Sequence, residues 1–275
     1  MNVLSREKIL ILLNGLVEGQ SIRSLERMIG IHRDTIMRWH VRAGQAAQKV
    51  LDEQIKGLKV NYVQADELWT FIGRKENPEY HGLVMNGYSG EAWVFVALDA
   101  ESKLVITHTV GHRNSYTALR LMSDLRKRII GEFQLSTDGF RAYVDAAEIA
   151  FGTEVHFGQL VKIYSGDECI GARPTVVAGY PRLDKISTSY VERNNLTMRM
   201  SVRRIARKTN AFSKKSENLL TALSLHFGHY NFCRIHRSLK MTPAMAAGIT
   251  DHIWSLEELV EGALRGGGFN KGGGA

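Results

Sequence analysis

Cysteine and long apolar segments, on which many small proteins depend, are nearly absent from this chain. Cys169 and Cys233 are the only cysteines, and they form no CxxC pair. This excludes a disulfide framework and a four-cysteine zinc site. No stretch approaches about 18 uncharged apolar residues, and charges stand near the N-terminus where a signal peptide has its apolar core. We therefore expect no membrane span and a reducing, cytoplasmic compartment.

The amino-acid composition is that of a folded, basic protein. Apolar residues make up 44% of the 275 residues, which is enough to bury a core. Lys and Arg outnumber Asp and Glu by 36 to 28, which gives a net charge of +8. This balance suits a polyanionic partner, although many soluble proteins are mildly basic. The length allows one catalytic domain of ordinary size and a small accessory module.

The first region, residues 1 to about 45, has helical periodicity and no strand signal. Residues 21–29 and 33–41 predict two helices, and Gly30 allows a tight turn between them. Arg33, Thr35 and Arg38 are expected on the outward face of the second helix, which in a helix-turn-helix can enter the major groove of DNA. A small bundle used for packing or dimerisation fits the same pattern. The glycine at the turn and the basic second helix favour DNA binding.

The middle region alternates β-branched or aromatic runs with helical ones. Strands are predicted at 62–72, 92–98, 104–110, 134–138 and 159–164, and helices at 116–130 and 141–150. The order β-β-β-α-β-α-β-α is that of a ribonuclease-H-like domain. The predicted fold class is therefore α/β, with a five-stranded mixed sheet, a small helical module before it and basic helices after it.

Two acidic residues of the middle region occupy positions where chemistry is expected. Asp66 lies inside the first strand among apolar neighbours, where a carboxylate is costly unless it is paired or binds a cation. Because strand side chains alternate, Asp66 and Glu67 point to opposite faces, so only one of them is expected in a given site. Asp138 closes the fourth strand, at the kind of edge where ligands gather. A helix cap is the alternative role for Asp138.

A third acid lies on a basic helix predicted at residues 188–207. Glu192, Asn195, Arg199 and Arg203 recur at intervals of three or four and line one helical face. An acid followed by cations suits a metal ligand beside residues that hold phosphates. A solvated basic face is the alternative.

Three carboxylates with no required cysteine or histidine make an oxygen-rich site, which suits Mg²⁺ or Mn²⁺ rather than Zn²⁺. Two such ions about 4 Å apart can activate a water or a 3′-hydroxyl for in-line phosphoryl transfer and stabilise the leaving oxygen. A weaker alternative is a histidine–cysteine cluster, whose spacings match no standard zinc pattern. Its members would be His108, His112, His229, His236 and Cys233.

Several segments resemble the insertion-sequence-one family of bacterial transposases. They are residues 64–71 (QADELWTF), 135–140 (LSTDGF) and 187–200 (STSYVERNNLTMRM). Residues 230–239 (YNFCRIHRSL) and 242–247 (TPAMAA) match a closing pattern shared with other DDE transposases and integrases. The resemblance covers roughly residues 60–260. It implies a ribonuclease-H-like fold, Mg²⁺-dependent strand cleavage and strand transfer, and recognition of terminal inverted repeats.

The resemblance also implies roles for single residues. Asp66, Asp138 and Glu192 correspond to the catalytic metal ligands, and Arg199 to their basic companion. Some relatives carry a cysteine zinc finger before the helix-turn-helix, and this chain has none. Recognition of the DNA ends would then depend on residues 21–42 and on the basic C-terminal helices. Residues 165–185 look like an insertion before the catalytic helix, to which no role is assigned.

The sequence therefore predicts a DDE transposase that uses two Mg²⁺ ions, with Mn²⁺ as a substitute. The expected partner is double-stranded DNA, both terminal inverted repeats and target, with a homodimer or larger assembly in the complex and a nucleoid-associated location. The predicted DNA contacts are Arg33, Thr35, Arg38, Arg199, Arg203, Arg204 and Arg207. The alternatives are a catalytically inactive, sequence-specific DNA-binding regulator and a ribonuclease-H-type nuclease.

The chain is expected to divide into five parts. These are a helix-turn-helix module (1–45), a linker (46–59), the ribonuclease-H-like DDE domain (60–210), a C-terminal helical region (211–264) and a disordered glycine-rich tail (265–275).

Overall fold

The computed structural model describes residues 4–74 and 90–265. The predicted disordered tail lies outside the described residues except for Arg265, which ends a short helix. Within the described ranges, no helix is long and apolar enough to cross a membrane.

Three helices form the N-terminal part: α1 (Arg6–Val17), α2 (Ile22–Ile29) and α3 (Arg33–Gln54). Gly30 closes α2 with φ of 68°, a left-handed conformation that favours glycine, and α3 begins three residues later. The helix-turn-helix layout predicted from the sequence is therefore present.

The predicted linker at 46–59 is wrong for most of its length, because α3 continues without a break to Gln54. Ala43, Ala47 and Leu51 recur every four residues and are buried, so this part of α3 has an apolar face of its own. That face keeps the chain helical beyond the helix-turn-helix.

A six-stranded mixed sheet forms the centre of the molecule, in the order β3-β2-β1-β4-β5-β6. The first three strands are antiparallel, β4 is parallel to both β1 and β5, and β6 returns antiparallel to β5. The strands are β1 (Tyr62–Ile72), β2 (Gly90–Asp99), β3 (Val105–Gly111), β4 (Phe133–Asp138), β5 (Val155–Ser165) and β6 (Glu168–Ala178).

The ribonuclease-H-like arrangement predicted from the sequence is confirmed by the order and directions of β1 to β5, but the sheet has six strands instead of five. The residues predicted as an insertion at 165–185 contain the sixth strand, and Gly166 makes the turn into it with φ of 60°. The strand escaped prediction because most of β6 is exposed, so it lacks the apolar alternation that marks a half-buried strand.

Helices cover both faces of the sheet. On one face, α4 (Ser115–Arg128) and α5 (Ala142–Phe151) pack against each other. On the other, α6 (Ser189–Ser201) packs against β1 and β2. The helix predicted at 188–207 is too long at its C-terminal end: Val202 is extended, and Arg203–Ile205 form a separate 3-10 turn. Arg203 therefore does not continue the helical face that carries Glu192.

The C-terminal part begins with α7 (Ser216–Gly228), which packs along α3 and ends in a π-helical turn, His229–Cys233. Three short helices follow: α8 (Pro243–Ala246), α9 (Leu256–Leu259) and α10 (Glu261–Arg265). Apolar side chains of α1, α2, α3, α7 and α9 share one core beside the core of the sheet. The helix-turn-helix is thus packed against the C-terminal helices.

Candidate active site

Three carboxylates converge where β4 ends beside the middle of β1. The parallel pairing of these strands stops at Ala65 and Thr137, so β1 continues past the end of its neighbour. Carboxylate oxygens of Asp66, Glu67 and Asp138 lie within 4.8 Å of one another at this point. The sequence predicts that only one of Asp66 and Glu67 serves the site. The carboxylates of both lie at this point, and they differ in their hydrogen-bond partners.

Asp138 is held in place by the turn that follows its strand. Its Oδ1 accepts a hydrogen bond from the backbone N–H of Phe140 at 3.0 Å. Helix α5 begins later, at Ala142, so Asp138 does not cap it. From β5, the Gln159 side chain donates to the carbonyl oxygen of Asp138 at 2.8 Å. The end of β4 is therefore fixed from both the turn and the neighbouring strand.

Glu67 already has partners for both of its oxygens. Arg113 donates to Oε1 through Nε at 2.8 Å and forms an ion pair through Nη2 at 2.7 Å, and the Tyr143 hydroxyl donates to Oε2 at 2.9 Å. The Glu67 side chain is 2% exposed. The Arg113 guanidinium also lies 4.0 Å from the centre of the Phe140 ring. A carboxylate so engaged is a poorer cation ligand than Asp66 or Asp138, and it adds negative charge beside them.

Helix α6 contacts Asp66, whereas Glu67 contacts Tyr143 of α5. The side-chain amide of Asn195 donates to Asp66 Oδ2 at 2.8 Å. Glu192, one turn earlier, is exposed and accepts a hydrogen bond from the Thr188 hydroxyl at 2.9 Å. Its carboxylate lies outside the close group of three, but its charge acts on Asp66. The structure thus brings Asp66 and Asp138 together and places Glu192 at the border of the same site.

The start of α6 is tied to β1 by Gln64. Its Oε1 accepts hydrogen bonds from the backbone N–H groups of Tyr190, at 2.9 Å, and Val191, at 3.2 Å. These N–H groups belong to the first turn of α6, which has no partners within the helix. Because Gln64 lies two residues before Asp66, this contact fixes the helix of Glu192 against the strand of Asp66.

The crowding of acids raises the pKa values of Asp66 and Glu67. The pKa of Asp66 rises from 3.8 to about 7, mainly through burial and the charge of Glu67, with smaller contributions from Asp138 and Glu192. Burial and the charge of Asp138 also raise the pKa of Glu67, against the hydrogen bonds from Tyr143 and Arg113. Because the ionised forms of these carboxylates repel one another, the site favours a bound cation. The donors are all oxygens, so the site fits Mg²⁺ or Mn²⁺.

The predicted cations of the α6 region take different positions. Arg199 is half-buried and donates to the backbone carbonyls of Trp69, at 3.4 Å, and Ile205, at 3.5 Å, which places it along β1 beyond Asp66. Arg203 and Arg207 are exposed. Arg204, in contrast, is 8% exposed, so it does not lie on an open basic face as expected.

The predicted contact residues of the helix-turn-helix lie at its surface. Arg33 and Arg38 are exposed and Thr35 is half-buried. Arg38 donates to the Thr35 hydroxyl at 3.1 Å, and Glu26 accepts from the backbone N–H of Arg33 at 3.0 Å. These contacts order the start of α3, and both arginine side chains remain exposed to solvent.

The histidine–cysteine cluster considered as an alternative does not form among residues 4–74 and 90–265, where the three carboxylates are the group able to hold a metal ion. His108 is half-buried and packs on the ring of Phe227, with 4.6 Å between ring centres. Cys233 is also half-buried, and burial raises the pKa of its thiol to about 12. Cys233 packs against the core, and His108 packs against a buried ring.

Sequence reasoning did not identify the residues that support the acids: Gln64, Glu67, Arg113 and Tyr143. Gln64 and Glu67 flank Asp66 within two residues, and an amide or acid in an apolar strand signals an unusual contact. Arg113 and Tyr143 reach the site from distant segments, and no local pattern marks them.

The chain has sequence relatives among insertion-element proteins. No protein-family model matches it. The chain is 27% identical over 154 residues to the insertion element iso-IS1n protein InsB of Shigella dysenteriae, which is 56% of this chain and 84% of the relative. It is also 27% identical over 173 residues to the IS1 protein InsB of Shigella sonnei, which is 61% of this chain and 91% of the relative.

Among solved structures, the chain resembles the piggyBac transposase synaptic complex with hairpin DNA, with a TM-score of 0.46 and 12% identity over 96% of this chain and 72% of that one. The Mos1 mariner paired end complex with Mn has a TM-score of 0.31 and 11% identity over 96% of this chain and 78% of that one. The sequence similarity is thus to insertion-element proteins.

Proposed function

We propose that this protein is a transposase that cuts DNA at the terminal inverted repeats of an insertion element and joins the ends to target DNA. The observation that carries the proposal is the convergence of Asp66 and Asp138 at the end of β4, with Glu192 brought alongside by α6. The similarity to insertion-element proteins supports the same function.

In this proposal, Asp66, Asp138 and Glu192 hold two Mg²⁺ ions, or Mn²⁺ in their place. When bound, such ions lower the pKa of the attacking water or 3′-hydroxyl and stabilise the leaving oxygen of the phosphodiester. Asp66 and Asp138 offer carboxylate oxygens from fixed strand positions. Glu192 is exposed, with a hydroxyl contact on one oxygen, so it can turn towards the same ions from α6.

The remaining residues position this set. Asn195 holds Asp66 Oδ2, Gln64 holds the start of α6, and Arg113 and Tyr143 keep Glu67 beside the ligands. Arg199 of α6 contacts β1 at the carbonyl of Trp69, three residues beyond Asp66. At this position its guanidinium can neutralise a phosphate of the DNA being cut. No nucleophilic serine or tyrosine is required, because water and the 3′-hydroxyl of DNA are the nucleophiles.

The helix-turn-helix supplies recognition of the repeat. Arg33, Thr35 and Arg38 lie near the start of α3, the part of a recognition helix that contacts base edges in the major groove. Each element has two ends to be processed, so we propose at least two copies of the chain in the DNA complex.

A cleavage assay tests the function. The purified protein is incubated with labelled duplex carrying the terminal repeat of its element, in Mg²⁺, Mn²⁺ or EDTA. We expect metal-dependent nicking at the repeat boundary, lost in Glu192→Gln and kept in Glu148→Gln, a matched control on the exposed side of α5. Cleavage by Glu192→Gln at the normal rate would remove Glu192 from the ligand set. Tight binding without cleavage under all conditions would indicate a DNA-binding regulator instead.

A further inference from the structure

A groove runs between the helix-turn-helix and the segment that links α6 to α7. It encloses about 930 Å³. Residues of α2 and α3, among them Arg23, Arg33 and His40, form one wall. Arg203 and Arg204, with Lys214 and Lys215, form the other. The groove therefore lies between the part of the chain proposed to read DNA and the part proposed to cut it.

The charge of this groove is strongly one-sided. Six cations and one carboxylate, that of Glu217, line it. Arg33 has only a long ion pair with Asp34, at 3.8 Å. The other five cations form no ion pair with any carboxylate in the described part of the chain. An uncompensated set of cations on two facing walls raises the local concentration of anions.

One cation of the groove, the guanidinium of Arg204, is buried and has hydrogen bonds only to uncharged groups of the described residues. Arg204 is 8% exposed, and it donates to the Ser213 hydroxyl at 3.2 Å and to the Met37 sulfur at 3.0 Å. Burying a guanidinium without an anion costs free energy. The charge of Arg204 acts on the nearby His40. Both His40 and His226 line the groove, and within the described residues their buried atoms His40 Nδ1 and His226 Nε2 have no hydrogen-bond partner. The groove lining therefore contains polar atoms without partners as well as a desolvated cation.

The basic lining continues towards the carboxylates. Arg204 also borders a second groove, lined by Arg207, Lys208 and residues 69–71 of β1. Arg199 reaches the same strand at the Trp69 carbonyl, and Asp66 lies three residues before it, about 10 Å along the strand. The cations therefore form a path from α3 to the candidate metal site.

We propose that the groove between α2–α3 and residues 201–218 binds the phosphodiester backbone of double-stranded DNA, and carries the duplex from the helix-turn-helix to the active site. The inference depends on the proposed function for the identity of the partner. Duplex DNA is the occupant, because the two ends of the path are a helix suited to a major groove and a site suited to phosphodiester cleavage on the same molecule. Lys214 and Lys215, which the sequence did not single out, become phosphate contacts.

The test compares two double variants that remove equal charge. Lys214→Ala/Lys215→Ala removes two exposed cations of the groove, and Lys56→Ala/Lys59→Ala removes two exposed cations between α3 and β1. Binding of each full-length protein to a labelled random-sequence duplex is measured by fluorescence anisotropy over a series of salt concentrations. EDTA is present throughout, so cleavage does not enter, and thermal melts confirm that both variants are folded.

We expect the groove variant to lower the slope of log K against log salt by about 1.8, since each lost phosphate contact contributes about 0.9 for duplex DNA. The control variant keeps the wild-type slope. Equal slopes for the two variants would overturn the proposal, and a loss confined to single-stranded DNA would overturn the assignment to duplex. A protein that behaves as expected here and never cleaves would refute the proposed function and leave this inference standing.

Discussion

The side-chain amide of Asn195 on α6 donates to Asp66 Oδ2 on β1 at 2.8 Å. This hydrogen bond joins the helix that carries Glu192 to the strand that carries the most perturbed acid of the site. It also helps to fix the rotamer of Asp66. Orienting contacts of this kind commonly change metal affinity when they are removed.

Asn195→Ala is expected to weaken Mn²⁺ binding about 10- to 100-fold, because Asp66 loses the group that orients it. Isothermal titration calorimetry measures the affinity. Asn14→Ala, which removes an exposed amide of α1, is the control and keeps the wild-type affinity. Unchanged affinity in Asn195→Ala would mean that the hydrogen bond does not position the ligand.

Gln64→Met is expected to destabilise the fold by about 1–3 kcal/mol, because it leaves two N–H groups at the start of α6 without an acceptor. Urea unfolding measures the loss, and Gln54→Met, at an exposed position at the end of α3, serves as the control. Equal stability of the two variants would show that water replaces Gln64 at no cost.

Asp66→Asn is expected to stabilise the metal-free protein. The folded pKa of Asp66 is about 7 against 3.8 for the free group, so in the wild type stability is lost as the pH rises from 3.8 through 7 and the carboxylate ionises beside its neighbours. Removing that charge should raise the free energy of unfolding at about pH 8 in EDTA by about 1–3 kcal/mol. Urea unfolding in EDTA measures the difference, and Asp145→Asn, on the exposed side of α5, is the control. A destabilised Asp66→Asn protein would contradict the conclusion that the ionised Asp66 carboxylate lowers the stability of the metal-free fold.

Two buried histidines predict sensitivity to acid. Burial lowers the pKa of His40 and of His226 from 6.5 to about 3, so below pH 6.5 the unfolded chain takes up protons that the folded protein does not. Stability from this source is complete above pH 6.5 and falls by about 1.4 kcal/mol per histidine for each unit below it, down to the folded pKa.

His226→Gln should therefore lose less stability between about pH 7.5 and about pH 5.5 than the wild type, as measured by urea unfolding. His252→Gln is the control, because His252 is exposed and its pKa is raised by the hydrogen bonds that its ring donates to the carboxylates of Asp251 and Glu258. Equal acid sensitivity of His226→Gln and the wild type would show that His226 does not remain neutral in the folded protein.

Much of the fold could be predicted because its signals are local. The strand of Asp66 is rich in β-branched and aromatic residues, and the strand that ends at Asp138 is closed by Gly139, so their order along the chain indicated the sheet. The two acids could be singled out because a carboxylate in or at the end of such a run is costly.

What could not be predicted depends on contacts between distant segments. Side-chain alternation placed Glu67 on the opposite face from Asp66, but only the point where β4 stops pairing with β1 shows that both reach one space. Arg204 was expected on an exposed helical face. It is buried because the helix ends before Val202 and the Arg204 side chain packs against Met37 of α3. β6 was missed because its side chains are mostly exposed.

Titration with Mn²⁺, followed through the electron paramagnetic resonance signal of the ion, tests the claim that Asp66, Asp138 and Glu192 form one metal site. The wild-type protein should bind up to two ions. Asp66→Asn, Asp138→Asn and Glu192→Gln should each lose at least one of them, and Glu148→Gln should bind as the wild type does. Wild-type binding in all three variants would contradict the claim.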